Sequence, residues 1–143
     1  MNALAVVLAA AVSLASVAPV VTDDVAAYRA LAPPRPALRL DATLGRIAQA
    51  QAVRLANGAP FVHDGWTFRR LWAQGYRASW LGEALGWVSG EADGRAAARL
   101  VVRRWIASPE HRRLLRGWWH RLGAGVARAP DGVIYVVLLV ARR

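Results

Sequence analysis

The chain has 143 residues, no cysteine, and 19 basic side chains against 9 acidic ones, all of the basic ones arginine, for a formal charge of +10. A single domain with a real core is expected at this length, and a hydrophobic fraction of 56% argues against disorder. Without cysteine, a disulfide scaffold and a thiolate-ligated metal or redox site are excluded, while the charge favours acidic partners such as nucleic acid, anionic lipid or acidic wall polymers.

Met1 to Thr22 carries no charged side chain, and its run Ala3 to Val12 is pure alanine, valine and leucine. Ser16-Val17-Ala18 supplies the small residues of a processing site, so the segment reads as a secretory signal peptide. Its length also allows a retained membrane anchor, since a helix rises ~1.5 Å per residue. Both readings put the remaining domain, residues 23–143, outside the cytoplasm; a third, that the segment is a structural helix of the fold, does not.

Asp23-Asp24 is expected to open a short helix that runs to about Leu31. Pro33-Pro34-Arg35-Pro36 forces an extended connection. Asp41 caps a second helix, with Leu44, Ile47, Ala48, Ala52 and Leu55 on its apolar face and Asn57-Gly58 as its stop. A loop follows over residues 60–65. Trp66 to Gly75 reads as a third helix with Phe68, Leu71 and Trp72 as its apolar stripe. Ala78 to Val88 reads as a strand. Glu91 to Ala107 reads as a helix, buried along Ala97, Leu100, Val101 and Trp105 and charged along Arg95, Arg99 and Arg103. Ser108-Pro109 opens a short helix, with serine as cap and proline at the first position. Leu122 to Ala127 and Val133 to Ala141 read as strands joined by a turn at Pro130-Asp131-Gly132. The last strand is apolar on both faces and needs cover from both sides. The expected fold is therefore α/β: a three-layer α-β-α sandwich around a small, mainly antiparallel sheet.

The chemistry-bearing residues are few. None of His63, His111 and His120 pairs at helical spacing, so no local metal motif exists. Glu83 lies among apolar neighbours, where a carboxylate is costly to bury without a partner. Pairing Glu83 with Asp64 or Glu110 as glycosidase carboxylates has no support in the spacing. No serine-nucleophile elbow, phosphate loop or dinucleotide fingerprint occurs. Arg112, Arg113, Arg116 and Arg121 flank Trp118-Trp119, the mixture found on nucleic-acid surfaces. Here it reads instead as a solvated helix face followed by core tryptophans, and no nucleic-acid partner is expected.

The order of the motifs resembles the CAP superfamily of cysteine-rich secretory, antigen 5 and pathogenesis-related proteins, in its bacterial SCP-like extracellular form. The resemblance rests on Leu38 to Leu44 with Ala48 to Ala52, on Phe61-Val62-His63 and on Gly82-Glu83-Ala84. Trp105-Ile106-Ala107-Ser108-Pro109-Glu110-His111-Arg112, then Leu122 to Ala127 and the Tyr135 strand, complete it. It implies an α-β-α sandwich whose cleft gathers His63, Glu83 and His111. Ala84 replaces the family's asparagine, Ala26 replaces another, and Ser108 stands where eukaryotic members carry a second cleft glutamate.

Two functions are left open. One is a secreted, non-catalytic binding module for lipid, membrane or cell-wall components, with anionic lipid or wall polymer as partner. The other is a divalent-metal-dependent hydrolase, with a peptidase as one form, in which His63 and His111 ligate zinc or another divalent cation and Glu83 is a ligand or base.

Overall fold

A computed structural model describes residues 10–31, 34–90 and 93–143. Its elements are β1 (Val12–Ser13), a 3-10 turn (Ala15–Val17), α1 (Ala18–Ala30), β2 (Arg39–Leu40), α2 (Ala42–Ala56) and α3 (Trp66–Ala73). There follow β3 (Trp80–Val88), α4 (Gly94–Ala107), α5 (Pro109–Leu115), β4 (Arg121–Arg128) and β5 (Ile134–Arg142).

The sheet order is β1-β4-β5-β3, antiparallel throughout, with β2 added in parallel beside β4. The doubly apolar β5 is central, as its sequence requires. Ile134, Val136, Leu138 and Val140 face a core shared with α1 and α4. Val137, Leu139 and Ala141 face the opposite core, under α2 and α3. Each fully buried aliphatic side chain contributes roughly 1.5–3 kcal/mol, so the two cores together replace the bracing that cysteines would give. The expected three-layer sandwich is the observed one.

Helix α2 begins where Asp41 Oδ1 accepts the Thr43 and Leu44 amides, both at 3.0 Å. It then lies directly on β4, because Gly123 and Gly125 present no side chain there. A Cβ on Gly125 would stand 2.4 Å from the Ala48 backbone, and one on Gly123 would stand 2.2 Å from the Gly45 nitrogen. Gln49 reaches from α2 to the sheet edge, donating to Val126 O at 2.8 Å and accepting from Val126 N at 2.9 Å. Its amide thus stands in for a neighbouring strand between β2 and β1. The β4–β5 turn closes as expected, with Gly132 at φ +91° and its amide on Ala129 O.

Three local expectations are corrected. Helix α1 starts at Ala18 rather than Asp23, with Pro19 in its first turn. Val17, Val20, Val21 and Val25 bury there, while Asp23 points to solvent and caps nothing. The expected boundary at residue 22 thus falls inside a helix; residues 1–9 lie outside the described ones. In α3 the buried residues are Thr67 and Leu71, and Trp72 is 72% exposed. In the α5–β4 connection Trp119 packs on the core, but Trp118 is 47% exposed. Among the described residues no helix is long and apolar enough to cross a membrane.

Arg29 locks α1 to the rest. It is buried without a carboxylate partner, and its guanidinium donates to Leu115 O at 2.7 Å, Gly117 O at 2.8 Å and Pro36 O at 3.0 Å. Burial, and then the nearby Arg35 charge, lower its proton affinity. The three carbonyls, two of them at the end of α5, are what hold the charge in place.

Candidate functional site

The loop over residues 60–65 is fixed at its far end by Asp64. This carboxylate meets Arg54 at 3.1 Å and accepts the Trp66 amide at 3.1 Å, while the Asp64 carbonyl accepts from Arg69 at 2.9 Å. The Trp66 amide, and then Arg54, hold its carboxyl below the usual range. Asp64 therefore anchors a loop and is not a second site carboxylate. The loop presents His63, whose side chain is 60% exposed.

Glu83 lies mid-strand in β3, on the side of the sheet that faces α3. Its side chain is only 5% exposed, so its charge needs fixed partners. His63 Nδ1 lies 2.8 Å from Oε1, and Thr67 Oγ1 donates to Oε2 at 2.6 Å. The orphan carboxylate of the sequence thus becomes the centre of a bracket joining the loop, α3 and β3. Thr67 went unrecognised in the sequence. Its signal was a polar, β-branched residue four positions before the buried Leu71, on the same helix face.

His111 comes from the opposite layer. It sits in the first turn of α5, and its Nδ1 lies 3.0 Å from Ser108 Oγ. The contact spans one helical turn and replaces the backbone bond that a capping serine usually makes. The imidazole stacks on Trp105, with centroids 6.3 Å apart, and the Trp105 indole donates to Leu85 O at 3.0 Å. Burial lowers the His111 pKa, the His63 charge lowers it further, and Glu110 opposes both. His120 stays apart, at the α5–β4 connection, where it accepts the Arg143 amide.

Between the two histidine-bearing elements lies a cleft of about 310 Å³ along the outer edge of β3. Phe61, Leu85, Trp87, Val101 and Trp105 supply apolar walls, and Arg104, Ser108 and His111 supply its polar groups. Gly86 lets α4 pack closely on β3 here, since a Cβ there would meet Val101 at 2.3 Å. A larger depression of about 720 Å³ lies between α1, α2 and β4. Its Gln49, Asp41 and Thr22 are engaged by Val126, the α2 cap and Pro19, and Arg46 is its further polar lining group.

The expected three-ligand metal centre is not what these residues form. Among the described residues no three His, Cys, Asp or Glu side chains gather around one point. Glu83 is held by His63 at Oε1 and by Thr67 at Oε2, and its side chain is 5% exposed.

Comparison with known proteins agrees with this architecture. Residues 22–140 match the sequence model of the cysteine-rich secretory protein family, CAP. An outer surface protein of Borrelia burgdorferi superposes with a TM-score of 0.71 at 22% identity, over 87% of this chain and 91% of that one. An extracellular SCP-domain protein of Bacillus anthracis gives 0.73 at 17% identity, over 90% of this chain and 41% of its own. A cysteine-rich secretory protein of Staphylococcus aureus gives 0.70 at 16%, over 90% and 38%. This chain therefore spans less than half the length of the last two. No curated protein matches it in sequence. With the family sequence pattern running from α1 to β5 on a three-layer sandwich, the chain belongs to the CAP family.

Proposed function

We propose that this protein is a non-catalytic binding module that works outside the cytoplasm and takes a small amphipathic ligand, of lipid or cell-wall origin, into the cleft beside β3. The observation that carries the reading is the composition of that cleft: aromatic and aliphatic walls with Arg104, Ser108 and His111 among its lining. Such a lining suits an apolar body with an anionic or hydrogen-bond-accepting end, and the volume falls at the lower end of ligand sites, about 300–1,000 Å³. The His63–Glu83–Thr67 bracket then has a mechanical role, fixing the loop that carries Phe61 against the cleft. An extracellular location is supported by neighbours described as outer-surface or extracellular proteins.

The test is equilibrium binding of a single-chain alkyl phosphate, below its micelle concentration, followed by tryptophan fluorescence. Saturable binding that Trp87→Ala and Arg104→Gln each weaken at least tenfold supports the reading. Unchanged affinity in both variants removes the cleft as the site.

A further inference from the structure

One end of the sandwich gathers basic and aromatic groups that the cleft does not use. Strand register sets Trp80 opposite Arg142, and Arg121 beside Arg39. Arg142 donates to Trp118 O at 2.9 Å, which carries the row onto the α5–β4 connection. There Arg35 lies 5.6 Å over the Trp118 ring and donates to Arg116 O at 2.6 Å. At the other side of the row Arg143 lies 4.9 Å over the Tyr76 ring.

These guanidiniums are held mainly by carbonyls and rings, so their charge is not cancelled. Among the described contacts the one carboxylate that reaches this end is Asp41, at 3.9 Å from Arg143, and Tyr76 already donates to it. Beside the arginines the surface is apolar: Trp80, opposite Arg142, is 63% exposed and Leu40, next to Arg39, 72%. Tryptophan with arginine is the composition of membrane interfaces, where indoles sit at headgroup depth and guanidiniums meet phosphate. An exposed leucine favours hydrocarbon over nucleic-acid bases, which would want stacking rings alone.

We propose that this end of the fold docks onto anionic lipid bilayers, with Arg39, Arg116 and Arg143 on headgroup phosphates and Trp80, Trp118 and Leu40 in the interfacial layer. The proposal goes beyond the cleft and does not depend on its occupancy.

The test is sedimentation of the full chain with vesicles of phosphatidylcholine containing 30% phosphatidylglycerol (about 0.1 M salt), against phosphatidylcholine alone, which reports any contribution of the apolar N-terminus. Each arginine near an anionic surface is worth about fivefold in partitioning. The triple variant Arg39→Gln, Arg116→Gln, Arg143→Gln should therefore lose about a hundredfold. The equally charged control Arg95→Gln, Arg99→Gln, Arg103→Gln, on the exposed stripe of α4, should lose less than about fivefold. Equal losses in the two triple variants would overturn the proposal, as would retention on polyglycerol phosphate or oligonucleotide without vesicle binding. Wild-type emission should also be quenched by bromine-labelled anionic lipid; its absence would count against docking whatever the variants do.

Discussion

Thr67 and Glu83 give the sharpest test of how the site is built. Thr67 is 1% exposed and the Glu83 side chain 5%, and their bond is short, at 2.6 Å. Thr67→Val keeps the shape but strips a buried carboxylate oxygen of its donor. A hydrogen bond to a charged group is worth about 1.5–3 kcal/mol, so a loss of about 2 kcal/mol is expected. Glu83→Leu leaves the Thr67 hydroxyl buried and unpaired, at a cost of about 1–3 kcal/mol, whereas His63 can turn to water. In the double variant neither group is stranded, so the combined loss should fall about 2 kcal/mol short of the sum of the single losses. Urea unfolding followed by tryptophan fluorescence reads this directly. With a slope of about 2 kcal/mol per molar, the coupling corresponds to a midpoint difference of about 1 M. Additivity within ~0.3 kcal/mol would refute the bracket as the determinant of Glu83's position.

Other outcomes follow from the same structure. Arg29→Met removes three hydrogen bonds from a buried guanidinium and should cost about 3 kcal/mol, read as a fall of roughly 12 °C in melting temperature. Gly125→Ala drives a Cβ into the α2 backbone, and should cost at least about 3 kcal/mol or prevent folding. His111 has a lowered pKa in the fold, so below its ordinary value of 6.5 the unfolded chain takes up a proton that the folded chain refuses. Stability should therefore fall as pH drops from 6.5 through the folded pKa, and His111→Gln should flatten that part of the profile. Calorimetric titration with zinc should show no tight site in the wild type, and His63→Ala should give the same trace; a submicromolar site lost with His63 would restore the metal centre.

Much of the fold was legible because its local signals agreed with the global packing. Asp41 caps α2, Ser108-Pro109 opens α5, and the unbroken apolar run of β5 demanded a central strand. The misreadings fell where local and tertiary signals compete. Asp23 resembles a cap, yet burial of Val17, Val20 and Val21 extends α1 past it. Helix α3 has only 8 residues, with aromatic side chains on several faces, so its period was ambiguous; the Glu83 carboxylate decided that Thr67 turns inward. His63 and Glu83, twenty positions apart, meet only because the 60–65 loop crosses onto β3. Position in the motif order identified them, but not that Thr67 would share the Glu83 carboxylate with His63.

The central claim is that the apolar cleft along β3, not a metal centre, is where this protein meets its ligand. Two-dimensional NMR of the Trp87 and Trp105 indoles and the His111 imidazole, during titration with the alkyl phosphate, tests it most directly. Saturable shifts at these three groups, unchanged by a chelator, are the predicted result. Shifts confined to other tryptophans, or shifts at His63 and His111 that require zinc, would contradict it.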